Sequence, residues 1–283
     1  MSADTLDLAL RPASFPISIE KWYADVLLKD GAVCLVYLGS LSIAGVRMNR
    51  VTAEFFPPDG TVVRGSAKMG RIVGGPGFLR CSALAIDGER LRFRTAGLSG
   101  DLTFRQRASR WSPSDPFLAV GRRSVTWSVE IPDADVEGRL YWPGGERSLV
   151  GRGYRDRVRL DVLPWRFPIV RLTWGRAVAG AHAAVWSVAE TVDGRIVTGA
   201  WKDGANAALD PHGLPPGVTV GESRVFLDAD VASLEGLHLG PLRNLLALSS
   251  GDPHETKRRT SCVIAGEAGV GVDETVTWRT RRR

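Results

Sequence analysis

The chain has 283 residues, 44% hydrophobic and 24% charged, an ordinary globular composition that excludes wholesale disorder. Its length accommodates two domains of roughly 140 residues each. The formal charge of +6 comes from Lys and Arg scattered along the chain, with denser spots near Lys257–Arg259 and at the end from Arg279 to Arg283. Such scatter fits a solvated surface, or weak attraction to an anionic membrane surface, better than a nucleic-acid footprint.

The opening residues MSADTLDLALRP contain no basic stretch followed by an apolar one, so no signal peptide is expected. No apolar run approaches the roughly 20 residues of a spanning helix, and a cytoplasmic protein is the default expectation, with peripheral membrane contact left open. From residue 22 to residue 41, two strand-like runs flank Lys29-Asp30-Gly31, an Asp-Gly pair suited to a tight hairpin. The pattern recurs at Pro58-Asp59-Gly60, Asp87-Gly88, Asp193-Gly194 and Asp203-Gly204, each between runs rich in Val, Leu, Ile, Phe, Trp and Thr. The proline-bearing stretch 110–123 breaks the alternation and reads as a long loop late in the first domain. One helix is predicted at 240–250, where Leu242, Leu245 and Leu246 follow helical spacing. Many short strands joined by sharp turns predict an all-β chain: two antiparallel β-barrel domains, 1–145 and 146–283, with little helix.

Familiar catalytic motifs are missing. Cys34, Cys81 and Cys262 have no paired spacing, and the four histidines are widely separated, so neither a disulfide framework nor a metal site is expected. The glycines of GGPGF at 74–78 open no helix and make a poor phosphate cradle. What stands out is aromatic: nine tryptophans, several within strands, including Trp22, Trp174, Trp186 and Trp201. They are either core fillers or the walls of an apolar cavity whose ring faces could meet a cation.

GRGYRDRVRL at 151–160 alternates strictly. Read as a strand, it places Tyr154 and Asp156 on one face and Arg155, Arg157 and Arg159 on the other. Three unpaired guanidiniums are costlier to bury than one carboxyl, which can take up a proton. The arginines are therefore expected to face outward, to solvent or the domain interface, and Tyr154 and Asp156 inward.

Several segments together resemble the carotenoid 1,2-hydratase (hydroxyneurosporene synthase) family, part of a lipocalin-like superfamily that also holds plant-pathogen hydratases and lipocalin-like Diels–Alderases. EKWYADVLLKDG at 20–31 is similar to the family's Glu-x-Trp-Tyr opening strand, and WSVEIPDADVEGRL at 127–140 to the segment leading into its central motif. GRGYRDRVRL resembles the Gly-x-Gly-Tyr-His-Asp motif itself, and LTWGRA at 172–177 the Trp-Gly-Arg strand. Order and spacing agree over residues 20–180; the last hundred residues match only in β character. Arg155 and Arg157 stand where the family favours histidine, whereas Tyr154 and Asp156 are retained.

The resemblance implies a double lipocalin-like fold and a cofactor-independent hydratase or cyclase of hydrophobic isoprenoid or polyketide-type substrates. Asp156 would protonate an alkene and Tyr154 would orient it. Trp22, Tyr23, Trp174, Arg176, Trp186 and Trp201 would line the substrate site. If Arg176 reaches Asp156, the carboxylate is instead an ion-pair partner. Two further readings stay open: a Diels–Alderase-like cyclase that works by preorganising its substrate, and a non-catalytic lipid-binding protein. Substrate identity and oligomeric state are not set by the sequence.

Overall fold

A computed structural model describes residues 7–10, 16–113, 116–163, 166–230 and 253–278. The helix predicted at 240–250 lies outside the described residues, as do Arg279–Arg283. Among the described residues every regular element is a strand. The first nine are β1 (Ile17–Leu28), β2 (Val33–Ile43), β3 (Val46–Phe56), β4 (Val63–Met69), β5 (Val73–Gly75), β6 (Phe78–Arg80), β7 (Leu84–Asp87), β8 (Arg90–Arg94) and β9 (Ser99–Gln106). The next five are β10 (Leu118–Val120), β11 (Arg123–Trp142), β12 (Gly145–Leu160), β13 (Ile169–Ala179) and β14 (His182–Thr191). The last five are β15 (Ile196–Lys202), β16 (Ala205–Asn206), β17 (Val218–Asp230), β18 (Pro253–Ile264) and β19 (Glu267–Trp278).

They form two antiparallel sheets, as the repeated hairpin signal predicts. One runs β4-β3-β2-β1-β12-β11-β9-β8-β7-β6-β5, with β10 added beside β11; the other runs β16-β15-β14-β13-β19-β18-β17. The Asp-Gly pairs close the β1–β2, β3–β4, β7–β8, β14–β15 and β15–β16 hairpins. Gly31 (φ 97°) and Gly204 (φ 95°) show the positive φ such turns demand.

The chain divides into two compact units, Met1–Arg110 with Ser128–Asp161, and Trp111–Trp127 with Val162–Arg283. Strand β11 is continuous across the change from one unit to the other. The stretch 110–123, expected as a loop of the first domain, falls from Trp111 onward in the second unit, where Leu118–Val120 pairs with Arg123–Val125. Trp111 and Phe117 pack edge-on against Trp127, with centroids 5.2 and 5.9 Å away, and the Trp111 indole donates to Asn206 Oδ1 at 2.5 Å.

In the first unit the sheet curls around one core. Val36, Val51, Leu79, Leu91, Phe104 and Val136, drawn from β2, β3, β6, β8, β9 and β11, all belong to it. The curl brings the β8–β9 turn against β4, where Ala96 N–H donates to Ser66 O at 3.4 Å. The second unit has a smaller core of Ala177, Ala184, Trp186, Ala200, Val218, Cys262 and Ile264.

On the β17–β18 hairpin, His254 sits between two carboxylates, with Nδ1 3.1 Å from Asp230 and Nε2 2.8 Å from Asp228. The hydrogen bonds to Asp230 and Asp228 raise its pKa above the ordinary histidine value. Its contribution to hairpin stability is therefore complete below about pH 6.5 and fades as pH rises through the elevated value. Amide exchange in β17 and β18 should accelerate over that range, and Asp230→Asn should flatten the response.

Candidate active site

The alternation of β12 is present, but the core lies on the face opposite to the one expected. Residues directly opposite across an antiparallel pair share a sheet face. Trp22 pairs with Arg157, Ala24 with Arg155 and Val26 with Gly153, and Trp22, Ala24 and Val26 are core residues. A Cβ on Gly153 would collide with Val136 and Phe104, also of the core, so only glycine fits there. Arg155 and Arg157 thus turn into the core, and Arg155 and Arg159 are both buried.

The expected outward placement rested on unpaired guanidiniums, and these are paired. Arg155 meets Glu130 at 3.2 Å and donates to Gly88 O at 2.9 Å. Arg157 pairs with Glu20, donates to Ala9 O at 2.7 Å and stacks 4.6 Å over Trp22. Arg159 reaches Asp161 at 3.0 Å. Burial raises the Glu130 carboxyl above its ordinary range, while Arg155 and Arg157 pull it back. A cavity beside Trp22, Glu130 and Arg155, walled by Val36, Leu38 and Leu91 and bordered by Tyr23 and Asp156, has room for about one water. A hydrophobic substrate does not fit there.

Tyr154 and Asp156 occupy the other face of β12, and both are buried. Tyr154 donates its hydroxyl to Asp156 Oδ2 at 2.9 Å. The same construction stands on the neighbouring strand, where Tyr23 donates to Asp25 Oδ2 at 3.0 Å. The register sets Tyr23 against Asp156 and Asp25 against Tyr154, so the two pairs run head to tail on one face. The Tyr23 and Tyr154 rings lie 6.1 Å apart, and Tyr37 of β2 extends the row 5.1 Å beyond Tyr23. Three of the chain's four tyrosines are gathered here. Tyr37 is half-buried, Lys21 lies 4.7 Å over its ring, and a Cβ on Gly39, opposite Lys21, would meet nothing within 4 Å. Among the described residues the cluster is therefore open on the Lys21 and Gly39 side.

Asp25 was not among the expected site residues. Its signal is the Tyr-x-Asp triplet of WYAD, which recurs in GYRD, and the lone aspartate in an otherwise apolar stretch from Trp22 to Leu28. Trp22, by contrast, is on the core face with Arg157, away from Tyr23.

In the second unit, Trp174 and Arg176 of β13 share a face with each other and, through Val185, with Trp201. All three are buried, Arg176 completely. Glu274 and Lys257 continue that face beside Trp174. Lys257 lies 5.8 Å over the Trp174 ring and pairs with Glu255 at 2.8 Å and with Glu274. Burial alone would push the ammonium down, but Glu255 and Glu274 outweigh it and hold Lys257 above the usual lysine range. Trp186 is on the opposite face, in the core, lying directly on Gly175. Gly175→Ala would drive a methyl into that ring and should cost about 1–3 kcal/mol, read as a lowered midpoint in urea. Among the described residues no group of three His, Cys, Asp or Glu side chains is arranged to hold a metal ion.

This architecture and site define an all-β protein of lipocalin-like barrel type with a buried Tyr–Asp face. No protein-family model and no curated protein sequence matches the chain. Its fold is shared with solved structures. CghA in its complex with Sch210972 superposes with a TM-score of 0.65 at 15% identity, over 100% of this chain and 97% of its own. An AttH-type protein of Nitrosomonas europaea gives 0.61 at 12% identity, over 96% and 98%. Kievitone hydratase of Nectria haematococca gives 0.50 at 11% identity, over 92% and 89%. At such identities the likeness is one of fold.

Proposed function

We propose that the chain is a cofactor-independent hydratase or cyclase of hydrophobic isoprenoid or polyketide-type substrates, started by alkene protonation from Asp156. The observation that carries this reading is the buried Asp156 carboxyl, fixed by the Tyr154 hydroxyl at 2.9 Å on a face lined by Tyr23 and Tyr37. Protonating an unactivated alkene needs an acid shielded from water, because desolvation favours the neutral form of a carboxyl. Electron-rich ring faces beside it can stabilise the cation that follows. Capture of that cation by water gives hydration, and capture by a second double bond gives a ring. Placement and one proton are the chemical requirements of both outcomes. A hydratase among the structures of the same fold makes the first a reaction this architecture supports.

The test is incubation of the purified chain with acyclic polyenes, geranylgeraniol and lycopene, in ¹⁸O-water. A product carrying one labelled hydroxyl, or a cyclic isomer, supports the proposal. Saturable binding of these probes with no conversion would overturn it in favour of a lipid-binding protein.

A further inference from the structure

Resting on that acid-initiated reading, the geometry points to Asp25 as the second reacting carboxylate: held by Tyr23, it takes the proton from the water that captures the cation. Two carboxyl groups divide hydration naturally, since one gives a proton to carbon and the second can accept one from water. The two Tyr–Asp pairs have the same internal construction, with hydrogen bonds of 3.0 and 2.9 Å, both buried and both on one face of adjacent strands. Asp25 and Asp156 are diagonal neighbours across the β1–β12 ladder. Cα atoms so related lie roughly 7–8 Å apart, so the two carboxyls are neighbours on that face. The head-to-tail order also puts a tyrosine ring beside each carboxyl.

The balance closes without a further reactant. The Asp156 O–H bond breaks as a C–H bond forms at the alkene, leaving a cation on the more substituted carbon. The water oxygen forms the C–O bond, and its surplus proton passes to the Asp25 carboxylate. The product is the alcohol; Asp156 is left ionised and Asp25 protonated, and proton exchange with solvent restores both.

The test uses the terminal epoxide of farnesyl acetate, which an acid opens to a tertiary cation of the same kind, with a hydroxyl on the neighbouring carbon. Water then gives a diol, whereas proton loss from a neighbouring carbon gives an allylic alcohol. The ratio of the two reports the fate of the cation separately from the rate at which it forms. Wild type should give mainly diol, labelled from ¹⁸O-water at the tertiary carbon. Asp25→Asn should still open the epoxide but lower the diol-to-allylic ratio at least about 100-fold, the lower end of what a positioned general base contributes. Tyr23→Phe, which leaves the carboxylate in place without the Tyr23 hydroxyl, should move the ratio the same way by less, and serves if Asp25→Asn does not fold. A purely structural role for Asp25 would lower both products together. An unchanged ratio in both variants, with Asp156→Asn inactive, overturns the inference and leaves the acid reading intact. No opening by wild type above buffer, or full opening by Asp156→Asn, overturns the acid reading and this inference with it.

Discussion

Asp156→Asn should lower turnover of the polyene substrate at least about 100-fold, the lower bound of what a positioned general acid contributes, while the thermal midpoint changes little. The asparagine is isosteric, and its amide oxygen can still accept the Tyr154 hydroxyl that now reaches Oδ2 at 2.9 Å. On that hydrogen bond the change exchanges one neutral acceptor for another, at a cost to folding of about 1 kcal/mol or less. What the amide cannot do is give a proton to carbon. Tyr154→Phe keeps the acid and removes the Tyr154 hydrogen bond to it, so a smaller loss, on the order of ten-fold, is expected from misplacement alone. The same pair of measurements separates the competing readings. A cyclase working only by preorganisation would lose little turnover in Asp156→Asn, and an aspartate serving chiefly as an ion-pair partner would show its loss in stability rather than in rate.

The fold was legible because hairpin chemistry is local. An Asp-Gly pair between apolar runs needs no distant partner to specify a turn, and Gly31 and Gly204 have the positive φ that those turns require. The alternation of 151–160 was legible for the same reason. Which of its faces meets the core was not, because that depends on residues far away in sequence. Glu130 and Glu20 accept Arg155 and Arg157, and lie 25 and 137 positions from them. No local pattern announces such partners. The reasoning that sent the arginines outward was sound for unpaired cations and failed on the pairing.

The candidate site divides along the same line. Tyr154 and Asp156 were visible as a motif, but Asp25 gained its meaning only from the β1–β12 register, which sets it opposite Tyr154. Tryptophans were the least legible. Trp22 and Trp186 serve their cores, whereas Trp174 and Trp201 share a face with the fully buried Arg176. Nothing in their immediate sequence distinguishes the two pairs, since every one sits in a β-rich run.

Glu130→Leu should destabilise the protein by about 3–5 kcal/mol, the usual cost of removing one member of a buried ion pair. Arg155 is the reason: its guanidinium is buried against the core, 3.2 Å from Glu130 and 5.9 Å over Phe104, and cannot shed its charge by losing a proton. The reverse change, Arg155→Leu, should cost less and depend on pH. Burial already raises the Glu130 carboxyl, and removing Arg155 removes the largest influence pulling it down. With a folded pKa above the unfolded one, the native state holds the extra proton. Stability of the Arg155→Leu variant should therefore be greatest below about pH 4.3, the unfolded glutamate value, and fall as pH rises through the elevated folded value. Glu130→Leu has no such escape, and this carboxyl contributes no pH response to its deficit. The double variant, with both charges replaced by leucine, should recover most of the loss, because apolar replacement of a buried pair is often neutral or stabilising. Urea unfolding of the three variants at pH 5 and pH 8 measures each of these expectations. Equal costs for the two single variants at both pH values would show that the pair is screened by solvent rather than held in the core.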